Sequence, residues 1–274
     1  MGGMRTLFDT IKDMKGAEKM PMLFVGHGSP MNAIEESPYS LKWRELGSSL
    51  PLPAAILSIS AHWLTHGTTK VLTSSKPRTI HDFGGFPKRL FDMQYPAAGS
   101  PEFAGQTISL LQNHHVESDQ GWGLDHGTWS VLCNMYPHAN IPVYQLSIDY
   151  SKPPEYHFNM IKGLQVLRSK GVLVMGSGNI VHNLSMLSTN GQVYNWSIEF
   201  DTLVKDLIEQ GDFLSVVDFQ KTGSIAKLAH PTHEHFLPLL YVLGLANGKD
   251  TTSYFNEGFD FGSISMRSLL VGSS

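Results

Sequence analysis

Cysteine is nearly missing from this sequence: Cys133 is the only one. That excludes an intramolecular disulfide and any zinc site built from several thiolates. The thiol lies in the apolar stretch WSVLCNMY, so it reads as buried and inert rather than as a nucleophile. Charge is also sparse, at 16% of residues with a net charge of -4. A nucleic-acid or anionic-membrane surface would need clustered Lys and Arg, and neither partner is expected. No apolar run reaches the roughly 18 residues of a membrane span. The first residues lack the apolar core of a signal peptide, and Asp9, Asp13 and Glu18 fit a transit peptide poorly. The expected location is the cytoplasm. Repeats, low-complexity tracts and linkers are lacking too, so the 274 residues are expected to form one domain over 21–274, preceded by a helical extension over 1–20.

Histidine is what the chain does have, in distinctive places. Four segments stand out: FVGHGSP with His27, SISAHW with His62, GSGNIVHN with His182, and HPTHEHFLPL with His230, His233 and His235. The first three each follow an apolar run that reads as a buried strand. An open α/β sheet presents ligand-binding groups just past its strand ends, and imidazole is the commonest metal-binding side chain. The pattern implies a metal-dependent enzyme whose site lies along the C-terminal edge of a sheet, with mainly nitrogen and oxygen ligands.

The periodicities predict an amphipathic helix over 4–19 and strands at Met22–Val25, Ala54–Ser60, Lys70–Thr73, Ile141–Ile148, Val172–Met175 and Ser263–Val271. Further helices are expected at Pro101–Gln112, Pro154–Ser169, Asn195–Gln210 and His233–Leu245. Residues 77–100 are rich in Gly and Pro and read as an ordered functional loop, and Gly121–Trp129 reads as a turn. Strands alternating with helices imply an α/β fold, a largely parallel or mixed sheet flanked by helices.

Each histidine has a bland reading beside a functional one. His27, between two glycines, is either a ligand or a surface-turn residue. His62 ends an apolar strand and is either near the functional edge or a satisfied core residue. Glu234 and His235 would point about 100° apart on a helix; His235 begins the apolar face and points inward, while His233 reads as a solvated helix-start residue and His230, before a proline, as extended. His126 sits beside Asp125, which could orient its ring, or both could be part of a structural turn. His81 and Asp82 head the FGGFP loop and are candidates for substrate contact. Ser177 suggests a hydrolase, but the nucleophile elbow needs glycine two residues to either side, where this chain has Met175 and Asn179. His66, His114, His115, His138 and His157 receive no role.

Together, GHGSP (26–30), SAHW (60–63), TIHDFGGFP (79–87), YPAAGSP (95–101), DHGTW (125–129), QLSID (145–149), GSGNIVHNL (176–184) and HEHFLPLLYVLG (233–244) resemble the class III extradiol ring-cleavage dioxygenases, the LigB-type superfamily, and within it the DOPA 4,5-dioxygenase-like branch. The likeness covers nearly the whole chain after residue 20. It implies that His27 and His62 are metal ligands and that His235 is the third, where protocatechuate-cleaving members carry a glutamate. It implies that His182 is the catalytic base or a fourth ligand and that His126 lies near the substrate. The metal would be a single non-haem Fe(II), although three neutral imidazoles also suit Zn²⁺. The implied reaction inserts both atoms of O₂ into a catechol such as DOPA and gives a muconic semialdehyde-type product; a homo-oligomer is compatible with it. Two alternatives stand beside this reading. One is a zinc hydrolase of a small substrate, whose activity would persist without oxygen. The other is a Memo-like binding protein, against which the intact GSGNIVHN and DHGTW segments argue.

Overall fold

The computed structural model describes residues 19–272. The helix expected over 4–19 lies outside the described residues, apart from Lys19. The core is one mixed six-stranded sheet built from β1 (Met22–Gly26), β2 (Ala55–Ser60), β3 (Val143–Gln145), β4 (Val172–Gly178), β5 (Thr251–Phe255) and β6 (Ser268–Gly272), in the order β5-β6-β1-β4-β2-β3. β1, β4, β2 and β3 run parallel, and β6 and β5 add to β1 antiparallel. The expected α/β class with a mixed sheet is therefore what the chain adopts.

The central strands are buried on both faces, as strands covered by helices must be. Met22 and Phe24 on β1, Leu57 and Ile59 on β2 and Val174 on β4 pack on one side; Leu23, Val25, Ile56, Leu173 and Met175 pack on the other. The first face is covered by a helix that is buried along its whole length, Leu237–Leu245. The second is covered by Pro38–Ser49 and His126–Met135. We label the helices that matter below α1 (Pro38–Ser49), α2 (Pro101–Leu110), α3 (His126–Met135), α4 (Pro154–Met160), α5 (Asn195–Glu209) and α6 (Leu237–Leu245).

Local signals explain several boundaries. Ser37 and Ser40 form a reciprocal capping box at α1 with Pro38 in the first turn. Asp125 caps α3 by accepting from the Thr128 N–H at 3.2 Å.

Some expectations need correction. Gly121–Trp129 is not simply a turn: its second half opens α3, and the apolar stretch around Cys133 is helical. The helix expected over 154–169 is divided into α4, a 3₁₀ turn at Ile161–Leu164 and a short helix at Gln165–Ser169. The strand at Lys70–Thr73 exists as Thr69–Leu72, but it pairs with Val116–Asp119 in a side ribbon outside the main sheet. Within Ser263–Val271 there are two strands, Ile264–Ser265 and β6. The last helix starts at Leu237 rather than at His233, because Pro238 lacks an N–H and fits only a first turn. α1 and β5 have no counterpart in the sequence reading. Among the described residues no helix is long and apolar enough to cross a membrane.

Candidate active site

The hydrogen-bond ladders of the sheet continue beyond the strand ends and place the histidines. The His27 N–H donates to the Gly178 carbonyl at 3.1 Å, carrying the β1–β4 pairing one residue further. The Ala61 N–H donates to the Ser177 carbonyl at 3.0 Å, which does the same for β2 and brings His62 alongside. The Asn179 N–H donates to the His235 carbonyl at 2.9 Å, and the His182 N–H to Ala229 at 2.9 Å. Gly178 allows the His235 carbonyl to press against β4, since a Cβ there would collide with it.

One nitrogen each from His27, His62 and His235 lies within 4.8 Å of the other two. Their second nitrogens each face a polar partner. Ser177 has a single hydroxyl proton, which it donates to the Gly127 carbonyl. Its oxygen must then accept from His27 Nδ1 at 3.0 Å, so His27 carries its proton on Nδ1. His62 Nδ1 faces Asp82 Oδ2 at 3.2 Å and His235 Nδ1 faces Glu234 Oε1 at 3.0 Å. A carboxylate can only accept, so His235 donates through Nδ1, and the charge of Asp82 beside His62 Nδ1 favours the proton on that nitrogen as well. The three Nε2 atoms are left bare.

Burial, followed by the neighbouring histidines, holds His27 and His235 well below the usual histidine range. Burial also brings His62 down to about 3, with His126 pushing the same way against the opposing pull of Asp82. These imidazoles are neutral at pH 7, the state in which they can bind a metal. His27 Nε2 and His62 Nε2 face each other at 3.2 Å. Two bare lone pairs at that distance repel unless a cation sits against them, so the donor set fits a bound metal ion. Second-layer partners on the far nitrogen are the usual arrangement around histidine-bound metals.

Asp82 has a larger part than its sequence position suggested. Its Oδ1 lies 3.0 Å from His126 Nδ1 and accepts the His126 backbone N–H at 3.0 Å, while Oδ2 faces His62. The carboxylate thus ties a loop residue to the N-terminus of α3 and to two imidazoles at once. Burial opposes its ionisation, but the hydrogen bonds and charge of His126, together with His62, outweigh this and bring the carboxyl down to about 2. Asp82, not Asp125, is the carboxylate beside His126. Asp125 is spent on capping α3 and on the Gln145 Nε2–H at 2.8 Å.

His182 falls outside that trio, but one of its nitrogens lies within 4.8 Å of a Glu234 oxygen and a His235 nitrogen. Its ring lies flat on His235. Burial brings it down to about 4, against the opposing charge of Glu234. His27, His62, Asp82, His126, His182 and His235 all border one cavity of about 440 Å³.

The remaining candidates are elsewhere. His81 does not border the cavity: its Nε2–H donates to the Met93 carbonyl at 2.9 Å and its ring packs against Trp129, so it anchors the loop. His233 is not a solvated residue but is half-buried against Tyr150, ring centroids 4.6 Å apart. His230 is buried among Phe200, Phe219 and Phe236. Cys133 is pushed up to about 12 by burial, in keeping with an inert thiol. Sequence reasoning missed Ser177 and Glu234 as partners of ligand-type imidazoles; only the adjacency of Glu234 to His235 offered a signal.

An α/β sheet whose strand ends bring together three neutral imidazoles with bare Nε2 atoms, beside a deep cavity, defines a histidine-metal enzyme. Residues 27–266 match the family described as the catalytic LigB subunit of aromatic ring-opening dioxygenase, and the chain belongs to that family. It is 44% identical over 272 residues to the 4,5-DOPA dioxygenase extradiol of Escherichia coli (strain K12), covering 96% of this chain and 98% of that protein. The protein of the same description from Beta vulgaris is 38% identical, over 88% of this chain and 92% of its own length. A crystal structure of an uncharacterized protein from Escherichia coli K12 superposes with a TM-score of 0.80 at 41% identity, over 93% of this chain and all of that one (100%). The protein is accordingly a ring-opening dioxygenase of the extradiol type, an enzyme with a catalytic metal that uses a catechol-type substrate and O₂.

Proposed function

We propose that the protein cleaves a catechol of the DOPA kind between carbons 4 and 5, with Fe(II) held by His27, His62 and His235 through Nε2. The observation that carries this reading is a shared arrangement: every one of these imidazoles turns its Nδ1 toward a polar partner, Ser177, Asp82 or Glu234. Held there, Fe(II) would supply Lewis acidity toward the catechol and the redox chemistry that lets O₂ react with the ring. Zn²⁺ would take the same donors but cannot change oxidation state.

The protein's own groups do the rest. His182 is the base, rather than a fourth ligand. It borders the cavity, is neutral at pH 7 and makes no side-chain hydrogen bond among the described residues, so it takes the proton of a substrate hydroxyl there. His126 is positioned by Asp82, which accepts its backbone N–H and stands 3.0 Å from its Nδ1, and we assign its Nε2 to bond a substrate or oxygen atom. Phe83 packs edge-on against His126 at 5.4 Å and keeps water from that side. The balance needs no outside reductant: one ring carbon–carbon bond beside the hydroxylated carbons breaks and both oxygen atoms of O₂ enter the product.

The test is anaerobic reconstitution with Fe(II) and, in parallel, Zn²⁺, followed by DOPA, catechol and protocatechuate with an oxygen electrode and absorbance. Oxygen uptake in step with a yellow semialdehyde, with iron alone, is expected. Absence of uptake with every catechol at one iron per chain would overturn the proposal, and oxygen-independent hydrolysis with zinc would replace it.

A further inference from the structure

A second, smaller cavity of about 260 Å³ adjoins the first at the His182–His235 stack. The two share His182, Leu184 and His235, and the smaller one adds polar groups that the larger lacks, among them Ser185, Thr232 and Glu234. Its rim is open to solvent, since Leu184, Ser185, Pro231 and Thr232 are exposed. Glu234 lies deeper, with 16% of its side chain exposed. Its pose is fixed: Oε1 accepts the Thr232 hydroxyl at 3.1 Å and stands 3.0 Å from His235 Nδ1. A carboxylate has about four acceptor positions over its two oxygens, so these bonds leave capacity for a ligand. One His182 nitrogen lies within 4.8 Å of a Glu234 oxygen. Base and carboxylate are thus close enough for one small molecule to meet both. A ring hydroxyl would stand one hydrogen bond, about 3 Å, from His182, and a cation on a short arm the same distance from Glu234.

The charges around the two cavities narrow what that cation can use. Among the described residues, the carboxylates that border them are Asp82 and Glu234, and no Lys or Arg does. Asp82 turns one oxygen to His62 and the other to His126. A divalent metal on three neutral imidazoles leaves the inner end positive, even after the catechol oxygens offset part of its charge. That field attracts a carboxylate on the substrate's arm and repels an ammonium. An ammonium that gives up water beside it needs a counter-charge, and Glu234 is the carboxylate placed to supply one.

We infer that Glu234 is a specificity-determining residue: it binds the ammonium group on the arm of the catechol, in the smaller cavity, while a carboxylate on the same arm points to the open rim. This rests on the ring-cleavage reading above and deepens it, because it assigns the group that tells an amino-acid arm from a plain one. A hydrogen bond to a charged partner of this kind is worth about tenfold in affinity.

Two matched pairs test this by calorimetry on the Zn²⁺-loaded full-length chain, which binds without turnover: DOPA against 3-(3,4-dihydroxyphenyl)propanoate, and dopamine against 4-ethylcatechol. Both members of a pair meet the metal through the same catechol oxygens, so each pair isolates the ammonium. The amine should bind about tenfold more tightly in each. Equal or weaker binding of the amines overturns the inference. In Glu234→Gln at full zinc occupancy, checked by metal analysis, each gap should shrink to about twofold or less; an undiminished gap removes Glu234 from recognition. Because Glu234 also meets His235, a second variant leaves that contact in place. Thr232→Lys changes an exposed side chain and sets an ammonium of the protein against Glu234. It should narrow both gaps roughly threefold, the size of a partly solvated ion pair, with 4-ethylcatechol bound as before. Gaps unchanged by this substitution overturn the inference too. Oxygen uptake by the Fe(II)-loaded chain with the same four compounds is a separate readout. Its absence alongside the expected binding order would sink ring cleavage and leave the ammonium site standing; uptake without any preference for amines would do the reverse.

Discussion

The imidazole of His182 lies flat on that of His235, ring centroids 3.5 Å apart and planes 8° from parallel. One ring of this stack has its Nδ1–H fixed by Glu234; the other has no hydrogen bond among the described residues. Two histidines in van der Waals contact thus differ in the way the proposed mechanism asks of them, with His235 as ligand and His182 as the group that exchanges a proton.

Replacing His182 with Gln should separate these tasks. The metal content of the purified variant should stay near that of the parent, while turnover should fall by on the order of 10² to 10⁴, the usual contribution of a positioned base. Metal analysis and oxygen uptake on one preparation decide it; normal turnover would remove His182 from the mechanism. His62→Ala, by contrast, should abolish metal binding.

Asp82→Asn keeps the shape of the side chain but cannot accept from both His62 and His126 with full charge. Metal affinity should fall by roughly 10- to 100-fold, as for other partners of histidine ligands. Competition against a chromophoric chelator measures this. Because Asp82 also holds His126, kcat should remain depressed at saturating metal. A variant with unaltered metal affinity would show that the 3.2 Å contact to His62 has no orienting role.

Gly178→Ala adds a methyl group where the His235 carbonyl and Pro238 already stand. Backbone must shift, at a cost on the order of 3 kcal/mol. The melting temperature should drop, and metal affinity should drop with it because His235 is displaced. Gly84→Ala, on the same side of the molecule but with open space around it, serves as the control for the temperature measurement.

Acid should destabilise the metal-free protein well before its carboxylates protonate. Burial pulls His157 down to about 4, while an unfolded histidine titrates near 6.5. Between these values the unfolded chain binds more protons than the folded one, so stability is fully present above pH 6.5 and is lost as pH falls toward 4. For His157, bonded through Nδ1 to the Tyr241 hydroxyl at 2.7 Å, the loss approaches roughly 3 kcal/mol. Melting temperatures from pH 7.5 to 4.5 should fall less steeply in His157→Gln; parallel slopes would refute the assignment.

Much of the fold could be read in advance. Runs such as AAILSIS and VLVM are too apolar and too short for anything but buried strands, and the histidines beyond them pointed to the C-terminal sheet edge, although β4 continues through Gly176 and Gly178, where a tight turn was expected. What escaped notice was governed by contacts remote in sequence. α3 begins within a segment of Gly and Trp that has no helical period, and it holds because Asp125 caps it and β2 offers Ser58, whose hydroxyl meets Thr128 at 2.8 Å. The edge strand β5 has little pattern of its own and is defined by pairing with β6.

The sequence by itself determined the composition of the site: a single cysteine, sparse charge, and histidines placed just past strand ends, since apolar runs and glycines act locally on the chain. Only the tertiary structure decided which histidines converge, which nitrogen of each is bare, and that Asp82 joins His62 to His126 while His81 beside it turns toward Met93. Those outcomes depend on side-chain directions summed over several elements. Proton placement on an imidazole is set by whichever partner the folded chain brings to within about 3 Å.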